Sequence, residues 1–258
     1  MHASKLFDLS GEVALVTGAS SGLGERFAEV LAAHGASVVV AARRADRLAS
    51  LVERISNAGG QARAVELDVS DQGAIAGAFD AAETAFGTVT ILVNNAGVAG
   101  NKAVFDMTPE DWRTVMSVNL DGVWFAAQEA ARRMKDAGRQ GNIINIASVL
   151  SFRAARTVAA YAASKGAVLQ LTRNLALEFA RYDIRVNGIA PGYILTEINN
   201  EYFESDDSAA MIKRIPQRRI GDVSDLDGTL LLLASNRASG YMTGSTVVVD
   251  GGHLLPVD

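Results

Sequence analysis

Cysteine is absent from the 258-residue chain. That excludes disulfides, thiolate zinc sites and a cysteine nucleophile, and it suits a reducing compartment without requiring one. Histidine occurs only three times, as His2, His34 and His253, scattered along the chain, so no metal site or histidine-based triad is expected. Long apolar runs are missing as well. One of the longest, Ala36–Ala42, contains a serine and is far short of the ~20 residues a membrane helix needs. The first residues lack the apolar core of a signal peptide, and the last, LLPVD, lack a sorting or lipidation tag; a cytoplasmic protein without a membrane partner is the expectation. A positive charge excess is also missing. Lys plus Arg is 24 against 29 Asp plus Glu, a net charge of −5, which argues against nucleic acid as a partner. Proline is scarce at 4, and no linker, low-complexity run or internal repeat divides the chain, so one domain over 1–258 is expected.

What is present is apolar and rich in glycine: 49% hydrophobic residues, 21% charged and 24 glycines, the profile of a soluble globular protein. Short β-branched runs alternate with helical spacing from end to end. Strands are expected at Glu12–Thr17, Ser37–Ala41, Ala62–Leu67, Val89–Val93, Gly141–Ala147, Ile184–Ala190 and Thr246–Val249. Helices are expected at Glu25–His34, Asp46–Ala58, Asp71–Phe86, from Thr108 with a bend to about Asp136, at Thr157–Arg181 and near Ser224–Leu233. At Thr108-Pro109-Glu110-Asp111 the threonine can cap, the proline suits the first turn and the acids suit the helix dipole. Buried strands alternating with helices imply an α/β fold, a doubly wound parallel sheet with helices on both faces.

Thr17-Gly18-Ala19-Ser20-Ser21-Gly22-Leu23-Gly24 falls between the first strand and the first helix. Glycines there allow a tight turn and let the backbone approach a pyrophosphate, while the helix N-terminus offers unpaired N–H groups. After the second strand, a carboxylate would bind a free 2′-hydroxyl of an adenosine ribose and an arginine would accept a 2′-phosphate. The chain offers Ala42, Arg43 and Arg44 there, with Asp46 only later. The charges favour NADP(H), with NAD(H) still possible, and Arg43 is favoured over Arg44 as the contact.

Tyr161 and Lys165 stand at i and i+4, on one face of a helix. A neighbouring ammonium favours phenolate and is expected to lower the tyrosine pKa, so that Tyr161 could protonate a carbonyl oxygen or deprotonate an alcohol. Ser148, just past the fifth strand, could hydrogen-bond that oxygen. Asn119, flanked by apolar residues inside a helix, could hold a water that relays protons from Lys165.

With these residues in place, the sequence resembles the short-chain dehydrogenase/reductase family over nearly its whole length. The resemblance is carried by TGASSGLG at Thr17–Gly24, LDV at Leu67–Val69, NNAG at Asn94–Gly97 and VNL at Val118–Leu120. It continues through Ser148, YAASK at Tyr161–Lys165, PGYILT at Pro191–Thr196 and VVVDGG at Val247–Gly252. It implies a Rossmann-type fold with seven parallel strands and a catalytic tetrad of Asn119, Ser148, Tyr161 and Lys165. Tyr161 would be the acid/base, Lys165 would also hold the nicotinamide ribose, and Ser148 would position the carbonyl. Gly18, Ser20, Ser21, Gly22, Leu23 and Gly24 would cradle the cofactor, with Asp68 and Val69 at the adenine and Asn95, Ala96 and Gly97 beside the ribose. Pro191, Gly192, Ile194 and Thr196 would flank the nicotinamide and pyrophosphate. Many NADP-preferring relatives place a basic residue where Ser21 stands, so by resemblance one of two usual basic contacts is present. A homotetramer is implied, with the Arg156–Arg181 helix and the C-terminal strand at subunit contacts.

The substrate is fixed less narrowly. Val149–Ala160 and a lid at Glu197–Arg219 are expected to form its pocket, with Leu150, Phe152, Val158, Tyr193, Tyr202, Phe203, Met211 and Ile212 supplying apolar surface for a medium-sized, partly apolar small-molecule ketone or alcohol. A 3-oxoacyl-acyl carrier protein reductase is the alternative. Arg132, Arg133, Lys135 and Arg139 would attract an acidic carrier, whereas Glu201, Glu204, Asp206 and Asp207 would repel it. Sugar-alcohol and steroid dehydrogenases stay open, as does a dinucleotide-binding sensor without turnover.

Overall fold

The computed structural model describes residues 5–196 and 211–255. Seven strands form one parallel sheet: β1 (Val13–Thr17), β2 (Ser37–Ala42), β3 (Gln61–Glu66), β4 (Ile91–Asn94), β5 (Gly141–Ile146), β6 (Ile184–Pro191) and β7 (Thr246–Val249). Their spatial order is β3-β2-β1-β4-β5-β6-β7. The helices are α1 (Gly22–Ala33), α2 (Ala45–Asn57), α3 (Gln72–Phe86), α4 (Pro109–Met116), α5 (Gly122–Asp136), α6 (Ala159–Phe179), α7 (Asp227–Ala234) and α8 (Asn236–Ser239).

Strand alternation divides the core into two layers. Ala14 and Val16 of β1, Val38 and Val40 of β2 and Ile144 of β5 face one side, where they meet Phe27 and Leu31 of α1, Leu48 and Leu51 of α2 and Leu230 of α7. Leu15, Val39 and Ile143 face the other and meet Phe79 of α3, Met134 of α5 and Leu175 of α6. Every residue of β1 and β5 is buried, as an interior strand covered on both faces requires. The chain reverses its winding direction between β1 and β4, and the crevice at the carboxyl ends of those two strands is where such sheets bind ligands.

Helix starts follow local chemistry. Thr108 accepts a hydrogen bond from Asp111 N at 3.2 Å, and Asp111 Oδ2 accepts from Thr108 N at 2.7 Å, a reciprocal cap ahead of Pro109. The bend expected before Asp136 is a turn of π-helix, Ser117–Asp121, centred on Asn119 and joining α4 to α5. Most boundaries shift by one to three residues, and two helix starts have a clear physical cause. α1 begins at Gly22 rather than Glu25, because the glycine turn closes directly into the first helical turn. α6 begins at Ala159 rather than Thr157, whose φ of 64° lies in the left-handed region and cannot start a right-handed helix. Of the expected lid, 197–210 lies outside the described residues, and with it Tyr202, Phe203 and the acids Glu201, Glu204, Asp206 and Asp207.

Candidate active site

At the switch between β1 and β4 the chain encloses an open cleft of about 710 Å³. One hydroxyl organises its floor. Thr17 Oγ1, at the end of β1, accepts from Asn95 N at 3.0 Å and Ala96 N at 3.1 Å, while Asn95 Nδ2 donates back to Thr17 O at 3.0 Å. These bonds draw the segment after β4 against the glycine turn so closely that a Cβ on Gly18 would lie 2.7 Å from Ala96 Cα. Gly18 also has φ +65°, so only glycine suits the position. In the sequence Thr17 is only one letter of a motif; its role as a clamp depends on β4 lying next to β1.

Nearly every residue assigned to the cofactor lines this cleft: Gly18, Ser20, Ser21, Gly22 and Leu23 on one side, Arg43, Asp68 and Val69 at one end, and Asn95, Ala96 and Gly97 along the floor. Tyr161, Lys165, Pro191, Gly192, Ile194 and Thr196 complete the wall. Gly24 is the exception. It is buried behind the turn, where a Cβ would lie 2.4 Å from Gly18 O, so its glycine is needed for packing α1 onto the turn.

The wall fits a phosphorylated dinucleotide. The α1 N-terminus has no side-chain cap, which leaves its first N–H groups for an anion. Arg44 stands beside Arg43 as a candidate contact. It also lines the cleft, and its guanidinium donates to Ser20 Oγ at 2.9 Å and Ser21 Oγ at 2.7 Å. A positive charge carried on the strand-end arginine therefore lies at Ser21, where the resemblance led one to look for a basic residue in the glycine turn. Arg43 lies 3.7 Å from Asp68 Oδ2. The Asp68 carboxyl is held below its ordinary range, chiefly by hydrogen bonds from Ser70 and then by Arg43.

The catalytic candidates converge from β5, α6 and the π turn. Ser148 caps a short turn, its Oγ accepting from Leu150 N at 3.1 Å. Ser151 Oγ ties that turn to α6 by donating to Lys165 O at 2.8 Å. Lys165 is buried, and its Nζ donates to Ile146 O at 2.7 Å and lies 5.7 Å from the centre of the Tyr161 ring. Among the described residues no carboxylate pairs with it, and burial pulls its pKa down to about 8. Burial also pushes the Tyr161 phenol up, and the hydrogen bond from Ser148 pulls less strongly the other way. The lowering expected from Lys165 does not set the direction in the protein alone: desolvation of the phenolate does, opposed by the Ser148 hydrogen bond. Asn119 is fully buried and does not line the cleft. Its Oδ1 accepts from Val98 N at 2.8 Å, and its Nδ2 donates to Val98 O at 2.9 Å and Ser164 Oγ at 3.1 Å. It stays close to the chemistry even so, since a Cβ on Gly97 would lie 3.4 Å from Asn119 Oδ1 and 3.7 Å from Lys165 Nζ.

Two further polar features underlie the site. Beneath it, Asn94 Nδ2 donates to Asn145 Oδ1 and Asn145 Nδ2 to Thr172 Oγ1, both at 3.0 Å, locking β4, β5 and α6 together. His253, read from sequence as a surface or packing residue, is buried with its ring 5.2 Å from that of Tyr193, a residue of the cleft wall. Nothing in the local sequence around His253 signals that contact.

Residues 18–253 match the profile of a family described as enoyl-(acyl carrier protein) reductase. The chain is 40% identical over 253 residues to gluconate 5-dehydrogenase of Gluconobacter oxydans, covering 98% of each. It is 40% identical over 247 residues to the NADP-dependent (R)-specific alcohol dehydrogenase of Lentilactobacillus kefiri, covering 95% of this chain and 97% of that one. A gluconate 5-dehydrogenase from Burkholderia cenocepacia, solved with NADP and tartrate, superposes with a TM-score of 0.94 at 41% identity, over 99% of this chain and 100% of that one.

Proposed function

The chain belongs to the short-chain dehydrogenase/reductase family, and we propose that it moves hydride between NADP(H) and a ketone or secondary alcohol, with Tyr161 as acid and base. The observation that carries the proposal is the meeting of Ser148, Tyr161 and Lys165 in the cleft whose far end holds the uncapped α1 N-terminus and two arginines. The NADP bound in the Burkholderia enzyme supports the choice of cofactor.

A bound nicotinamide supplies or accepts the hydride. The protein's part is to hold the substrate oxygen between the Ser148 hydroxyl and the Tyr161 phenol, and to deliver a proton to it. A phenol whose pKa is raised by burial is a neutral donor at pH 7, which suits carbonyl reduction. Lys165, still largely protonated at that pH with a pKa of about 8, would hold the nicotinamide ribose and return the proton to Tyr161. Asn119 acts as a positioning residue that fixes Val98 and Ser164 around this path. Tyr161→Phe should lower turnover by about 10³-fold or more while leaving NADPH binding intact. Undiminished turnover would sink the role given to Tyr161.

The carrier-protein alternative stands second. Of its basic cluster, Arg132 pairs with Glu129 at 2.6 Å, and Arg133 with Glu129, Asp80 and Glu83 at 2.6–2.7 Å. Those charges are already spent within α3 and α5. A homotetramer and a cytoplasmic location complete the proposal. β7 is an edge strand with Val248 exposed, and α6 exposes Leu177, surfaces of the kind subunit contacts cover.

A further inference from the structure

Resting on the hydride-transfer reading, we infer that the substrate is uncharged where it meets the protein, and that the cleft selects neutral, partly apolar ketones and alcohols against keto acids. The charge along the cleft is strongly uneven. Its described lining contains three cations, Arg43, Arg44 and Lys165, and one carboxylate, Asp68. Arg43 faces Asp68, and Arg44 sits on Ser20 and Ser21, both at the ribose-phosphate end. Lys165 is buried against Ile146 O beside Tyr161. Among the described residues the wall around Ser148 and Tyr161 is otherwise Ala99, Val149, Leu150, Val158, Tyr193 and Ile194, so that Lys165, held by Ile146 O, is its one charged side chain.

Two arginines outside the described lining of the cleft are engaged at His253. Arg153 donates to His253 O at 3.2 Å, and Arg153 and Arg214 both act electrostatically on His253, without lining the cleft. Farther along the chain, Arg219 pairs with Asp225 at 2.5 Å. Residues 197–210, taken as sequence alone, contain Glu197, Glu201, Glu204, Asp206 and Asp207 and no lysine or arginine. They bring no cation wherever they lie.

A carboxylate entering this wall would lose hydration and meet no cation beyond Lys165, which is held by Ile146 O and assigned to the nicotinamide ribose, while the Ser148 and Tyr161 hydroxyls are committed to the reacting oxygen. An unpaired buried charge of this kind discriminates as strongly as any favourable contact. The gluconate-named relatives act, by their names, on a sugar acid; the wall described here is built for an uncharged neighbour of the carbonyl.

The test compares methyl levulinate with levulinate, which share a ketone and differ in charge, and adds 5-ketogluconate, all followed by NADPH consumption. NADPH binding is measured in parallel by fluorescence. The expected result is a kcat/KM for the ester about 100-fold above that for the acid, with 5-ketogluconate as poor as levulinate. Leu150→Arg should narrow the ester-to-acid ratio by about tenfold or more, and Val158→Lys is the second variant if that protein does not fold. Equal or better turnover of the acids overturns the charge selection and leaves hydride transfer standing. NADPH binding without turnover of any ketone in a broad panel overturns the hydride-transfer reading, and this inference with it.

Discussion

The two ends of the cleft are built from different materials. The cofactor end rests on strand termini and the start of α1, stitched by Thr17, Asn95 and the arginine–serine contacts. The substrate end rests on the turn after β5, the start of α6 and the segment after β6, and presents mostly apolar side chains. The first end has a fixed polar code that suits one ligand shared by many reactions. The second offers shape and the absence of charge, so it can change without disturbing the first. The reacting hydroxyls, Ser148 and Tyr161, sit where the two meet.

The largest expected break in this division is at the junction itself. Ser148→Ala removes the hydroxyl that donates to the substrate oxygen, and should lower kcat by about 10²–10³-fold with NADPH affinity unchanged, read by steady-state kinetics beside a binding titration. Smaller and confined to the cofactor end is the effect of Arg44→Ala. Loss of a charge-assisted contact should weaken NADPH by about 10- to 100-fold and leave NADH nearly unaffected, which shifts the ratio of kcat/KM for the two cofactors. Arg43→Asp should move the same ratio toward NAD(H). If neither substitution moves it, the cofactor end does not read the 2′-phosphate through these residues.

Much of this was legible in the sequence for a physical reason. β1, β2 and β5 are short β-branched runs buried on both faces, and the Thr108–Asp111 cap is a local device, so their patterns survive without tertiary context. The features that escaped are tertiary. Which of two adjacent arginines reaches Ser21 depends on how the chain leaves β2. The left-handed Thr157 is set by its surroundings, its carbonyl accepting from Lys102 N at 2.7 Å. The raised Tyr161 pKa follows from burial, which the Tyr-x-x-x-Lys spacing does not encode.

Stability offers a subtler contrast between the ends. Lys165 has a folded pKa of about 8 against an ordinary 10.5, so the folded state disfavours its proton. The cost is fully present below pH 8 and fades as pH rises from 8 to 10.5. Lys165→Met should therefore stabilise the protein at pH 7 by about 1–3 kcal/mol, after allowance for the lost bond to Ile146 O. The gain should vanish near pH 10.5 in denaturant titrations. The same titration gives the smallest effect, a several-fold change in rate. Ketone reduction should be flat below pH 8 and decline above it, while alcohol oxidation should rise towards pH 8 and level off above it, as Lys165 becomes free to accept a proton.

Hydride transfer itself is tested most directly by following a label. NADPH carrying deuterium at the 4-position of its nicotinamide, in each of the two stereochemical forms, is consumed with a neutral ketone, and the alcohol is examined by NMR. Deuterium on the carbinol carbon from one form and not the other is the result this account predicts. Consumption of NADPH with no deuterium in the alcohol from either form would contradict it.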